Sequence, residues 1–89
     1  MDLDSLLHHY LDGADPDEPA QLSAAGERIA IDFGVERDPG RRFALWALLL
    51  MLGRAPDPDS AFKRETDRQA ARDFARMMAR AEAQANSST

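Results

Sequence analysis

Cysteine is absent from these 89 residues. That excludes disulfides, thiolate metal ligands and thiol nucleophiles. Lysine is almost absent: Lys63 stands alone against ten arginines, a bias typical of GC-rich bacterial genomes. There is no glycine-rich phosphate loop, no G-x-S-x-G elbow and no H-E-x-x-H pair, so none of the common catalytic signatures is present and a non-catalytic protein is expected. The longest apolar run has ten residues, about half of what a membrane span needs. The start, Met1-Asp2-Leu3-Asp4, is acidic and is not a basic region followed by an apolar one. A cytoplasmic protein without a membrane segment is therefore expected.

The apolar run itself, Phe43 to Leu52, is the stretch around which the chain is organised. It consists of Leu, Ala, Met, Phe and Trp and has no β-branched residue, a composition that favours a helix over a buried strand. Asp38-Pro39 opens it as N-cap and first helical residue, and Gly53 closes it as a left-handed C-cap. Arg41 and Arg42 sit near the positive end of the helix dipole and should reach out to acidic groups of the N-terminal half. The helix is apolar on all sides, so it belongs in a core or against another molecule. Both readings stay open. In the second, Leu45, Trp46, Leu48 and Leu52 are the candidate anchors of an oligomer interface, and the expected partner is a protein or a second copy in a homodimer.

The flanks read as three more helices. Leu3, Leu6, Leu7, Tyr10 and Leu11 form an amphipathic stripe that Gly13 ends, with Asp2 or Asp4 as cap. His8 and His9 lie on its polar face; Asp4, His8 and Asp12 stand at helical spacing, but with no second layer to orient them they read as solvated and no metal site is expected. A second helix starts at Asp15-Pro16 or at Glu18-Pro19. It runs to Phe33 with Leu22, Ala25, Gly26, Ile29, Ala30 and Phe33 as its stripe, and Gly34 is expected to cap it. The stretch from Ile29 to Val35 resembles the turn of a helix-turn-helix, with Ala30 as the small residue and Gly34 as the turn glycine. The following helix, however, offers no polar side chains to a groove, and Asp38 would face phosphates.

Asp57-Pro58 opens the last helix, expected over about 58–83, with a thin seam of Phe62, Thr66, Ala70, Phe74, Met77, Met78 and Ala81. Arg64, Arg68, Arg72, Arg76 and Arg80 recur every fourth residue along it, a row that winds by about 40° per step. Pairs such as Glu65–Arg68 and Asp73–Arg76 should offset their repulsion. Residues 85–89 lack periodicity and should be a disordered tail.

Charge is uneven. Residues 1–38 hold ten acids and two Arg, whereas residues 39–89 hold six acids and nine basic residues. The two halves should attract, within one chain or between chains. The expected architecture is thus all-α: one compact four-helix domain over residues 1–84 (helices at about 3–12, 16–33, 39–52 and 58–83), with the apolar third helix central and a long C-terminal helix. The expected function is protein interaction or self-assembly. A nucleic-acid accessory using the Arg row is the alternative, disfavoured by the net charge of −5 and by the lack of exposed aromatics on that helix. A small apolar ligand held among Leu49, Leu50, Phe74 and Met78 is the other. No cofactor is expected.

Overall fold

The computed structural model describes residues 3–87 apart from 14 and 16, and side chains through residue 85. The protein is all-α, with no strand among the described residues. Among the described residues five helices follow one another: α1 (Leu3–Leu11), α2 (Pro19–Val35), α3 (Pro39–Met51), α4 (Pro58–Ala61) and α5 (Glu65–Ser87). No described helix is long and apolar enough to cross a membrane. The chain divides into two units, one up to Ala55 and the other from Pro56.

In the first unit α1, α2 and α3 pack against one another in all three pairings. Leu6, Tyr10 and Leu11 of α1 are buried, as are Ala25, Gly26, Ile29 and Phe33 of α2. The expected stripes of both helices are therefore the sides that pack, except that Ala30 is exposed. The ends of α1 and α3 follow from local chemistry. After α1, Asp12 and Gly13 take positive φ (49° and 82°) and turn the chain away. Asp38 caps α3, its carboxylate accepting from the Arg41 N–H at 2.9 Å, with Pro39 as the first helical residue. At the other end Gly53 has φ 74°; its N–H donates to the Leu50 carbonyl, and the Arg54 N–H donates to that of Leu49 at 2.8 Å. These two bonds form the Schellman closure that a glycine at this position permits.

α2 begins at Pro19, the second of the two expected starts; Pro16 of the first lies outside the described residues. Its end differs from expectation. Gly34 does not cap it, and the helix continues through Val35 to an extended Glu36 (φ −73°). The chain turns instead at 36–38, where the Glu36 carboxylate accepts from the N–H groups of Arg37 and Asp38. The carbonyls at the end of α2 find donors without a left-handed glycine: the Glu36 N–H meets that of Asp32, and the Arg42 guanidinium meets that of Phe33. The helix-turn-helix likeness falls with this: Gly34 makes no turn, and Val35 is exposed where that motif has an apolar residue to bury.

In the second unit the expected single helix is two. Asp57 and Pro58 open α4 as foreseen, the Asp57 carboxylate accepting from the Asp59 N–H at 3.0 Å. After one turn Phe62 becomes extended (φ −127°, ψ 140°) and buried. The Arg68 Nε donates to the freed Phe62 carbonyl at 2.6 Å. The chain then bends at Lys63 and Arg64, and α5 starts with Glu65 and Asp67 in its first turn, the favourable end of the dipole for acids. Burying the Phe62 ring takes precedence over continuing the helix. α5 also runs past its expected end at residue 83, to Ser87; residues 88 and 89 of the expected tail lie outside the described residues.

The packed side of α5 coincides with the expected seam only in part, at Phe74 and Met78, and is rotated from it towards Ala71 and Ala75. Ala71 is fully buried, and Phe74, Ala75 and Met78 are half-buried; Thr66, Ala70, Met77 and Ala81 are exposed.

Candidate interaction surface

Three of the four apolar anchors expected on α3 are inside. Leu45, Trp46 and Leu48 are 0%, 1% and 0% exposed. The Phe43 and Trp46 rings lie 6.0 Å apart, tilted against each other. Burial within one chain is thus the answer to a helix apolar on all sides, and these residues offer no surface to a partner. Leu52, the fourth, is half-buried just beyond α3, next to an exposed Met51. With Pro19, Leu22, Ser23 and Arg54 these two line an open hollow of about 380 Å³. Its edge is fixed by Arg54, whose NH1 donates to the Ser23 carbonyl at 2.9 Å. Gly26 makes that crossing feasible, because a Cβ there would come within 2.5 Å of the Arg54 NH1 and 3.1 Å of its Cδ.

The Arg row is broken up rather than continuous. Arg64 lies in the bend before α5, where its carbonyl accepts from the Arg68 N–H. Arg68 is committed to the Phe62 carbonyl and is 4.0 Å from Glu65. Arg72 is paired with both Asp59 and Glu65, and these two hydrogen bonds raise its pKa, holding it firmly cationic. Arg76 meets Asp73 at 2.9 Å. Both pairs expected from spacing are present, and the carboxylates that meet the row come from its own unit. Among the described residues Arg80 has no ion pair. Counted by unit, six acids balance six basic residues from Pro56 onward, while ten acids face five arginines before it. The unit that carries the row is therefore neutral.

The junction of α1 with α2 holds a polar lock. The Tyr10 hydroxyl donates to the Asp32 carboxylate at 2.6 Å, and Arg28 donates to the Tyr10 carbonyl. Burial first, and then the bond to Asp32, push the Tyr10 pKa up to about 12. Arg41 pairs with Glu36 at 3.0 Å, an acid of the N-terminal half as expected. Arg42 meets a carbonyl and a ring: NH1 donates to the Phe33 carbonyl at 2.6 Å, and the guanidinium lies 4.0 Å from the centre of the Phe33 ring. That contact ties the end of α2 to the start of α3. His8 and His9 are exposed, and His9 meets Tyr10 edge-on.

One feature escaped the reading of the sequence. α2 carries a second apolar strip, on the side opposite its buried one. Ala20, Ala24, Ile31 and Val35 fall within about 60° of arc at 100° per residue, and all are exposed; Ile31 and Val35 are 67% and 73% exposed. In the second unit Met77 of α5 is 57% exposed, beside Asp73, Arg76 and Arg80. The alternating four- and three-residue spacing of positions 20, 24, 27, 31 and 34 was there to be seen, masked by Glu27 in its middle and by the small side chains at its start. No protein family, curated protein or solved structure matches this chain.

Proposed function

We propose that this chain is a self-associating protein-interaction module of the cytoplasm, without catalytic activity of its own. The observation that carries the reading is the second apolar strip of α2. The core residues Leu45, Trp46, Leu48 and Leu49 are at most 1% exposed, so Ile31 and Val35 are not the overflow of a core left uncovered. Isolated exposed apolar residues are ordinary, but two β-branched side chains one turn apart on an otherwise small-sided strip suit a helix partner. The neutral charge of the second unit speaks against nucleic acid as that partner.

The test is the molar mass of an Ile31→Asp, Val35→Ser double variant beside the unaltered chain, measured by light scattering at micromolar concentrations. The expected result is a dimer for the unaltered chain and a monomer with undiminished helical circular dichroism for the variant. An unaltered chain that is monomeric throughout overturns the reading.

A further inference from the structure

The exposed strip of α2 has a direction along its length. Glu27 stands one turn before Ile31, and Arg37 follows Val35 by two residues. Both are exposed, and neither has an ion pair among the described residues. From Glu27 to Arg37 the order is acid, two β-branched side chains, base. A reversed copy of the same segment is its complement, whereas a parallel copy sets acid by acid and base by base, which is unfavourable. The neighbouring charges are engaged elsewhere. Arg28 donates to the Tyr10 carbonyl, Asp32 accepts from the Tyr10 hydroxyl, and Glu36 pairs with Arg41.

Gly34 points the same way. It lies within α2 and has no positive φ, so alanine would serve the helix better. Nothing in this chain comes within 4 Å of where its Cβ would be, so no packing inside the chain requires a glycine. At 100° per residue it falls about 20° from Glu27 and about 60° from Ile31, on one edge of the strip. Bare backbone at that edge lets a second helix approach closely.

We infer that α2 pairs antiparallel with α2 of a second copy, about a twofold axis at the level of Asp32 and Phe33. Ile31 and Val35 then meet the partner's Val35 and Ile31, Gly34 marks the close approach, and Glu27 reaches the partner's Arg37. The inference rests on the self-association reading above and names the partner surface and its direction. Twofold symmetry makes each contact twice. The cluster of four β-branched side chains carries the affinity; the exposed ion pairs add little to it and fix the direction.

The chain has no cysteine, so introduced ones report the geometry directly. Full-length Glu27→Cys and Arg37→Cys proteins, each alone and as a mixture, are treated with a short bismaleimide. The expected result is a covalent dimer from the mixture and little from either alone, because the two copies of position 27 lie about 15 Å apart along the helices at 1.5 Å per residue. Gly34→Ala should raise the melting temperature and yet weaken the dimer by about tenfold in sedimentation velocity, a combination that loss of folding does not produce. A mixture that crosslinks no better than its components overturns the inference, as does a Gly34→Ala chain that dimerises as tightly as the unaltered one; self-association then stands through another arrangement. A monomeric unaltered chain overturns both.

Discussion

Tyr10 is the only tyrosine in the chain, which makes its hydroxyl directly measurable. Its ultraviolet titration should have a midpoint near 12 in the folded protein and near 10 in denaturant. Because the folded value is the higher one, the stability that this group contributes is intact below pH 10. It is lost as the pH climbs from about 10 to about 12. Tyr10→Phe should remove that slope and cost about 1 kcal/mol at neutral pH, the worth of one hydrogen bond. Gly26 and Arg54 form a second single-residue test. Gly26→Ala gains about 1 kcal/mol of helix propensity but displaces Arg54 from the Ser23 carbonyl, a loss of similar size, so it should be near neutral. With Arg54→Ala already in place the same change should stabilise by about 1 kcal/mol, and denaturant unfolding of the four proteins decides it. In the core, Leu48→Ala should cost about 3 kcal/mol. Leu48→Asp should leave no folded protein, since a chain of this size holds only about 5–10 kcal/mol in total.

The helix ends carry the next set of expectations. Asp38→Ala removes the acceptor for the Arg41 N–H and should lower stability by about 1 kcal/mol; thermal unfolding checks it. How far the sequence is legible is clearest at this scale. Asp38-Pro39, Asp57-Pro58 and Gly53 can be read without a structure, because proline and glycine act through their own backbone and need no neighbours. The strong stripe of α1 is legible for a similar reason: Leu and Tyr mark a side without ambiguity. Phe62 is different. Its place in a 3.6-residue pattern suggests a continuing helix, but burial of its ring wins over one more turn, and periodicity does not contain that contest. The packed side of α5 is hidden by its alanines: Ala70 and Ala71 are equivalent on paper, and only the second is buried. Gly34 misleads because the Phe33 carbonyl near the end of α2 is met by the Arg42 guanidinium, a partner from the next helix that local sequence does not announce.

For the whole molecule, the decisive difference lies in which apolar residues are left outside. Sequence reasoning locates surplus hydrophobicity on α3, since that helix is apolar all round. The structure closes Leu45, Trp46 and Leu48 away and leaves the exposed apolar side chains on the outer face of α2, at Ile31 and Val35, and singly at Met77 of α5. The charge account shifts with the boundary too. Dividing the chain at residue 38 makes the second half look basic, whereas dividing it at Ala55 leaves the unit with the Arg row neutral. Affinity for nucleic acid driven by that row should therefore be negligible at physiological salt. The proposed function depends on association between copies. Sedimentation equilibrium across micromolar concentrations, at low and at high salt, tests it most directly. The expected result is a concentration-dependent dimer that persists as salt rises, as an apolar contact should; a single monomeric mass under every condition would contradict it.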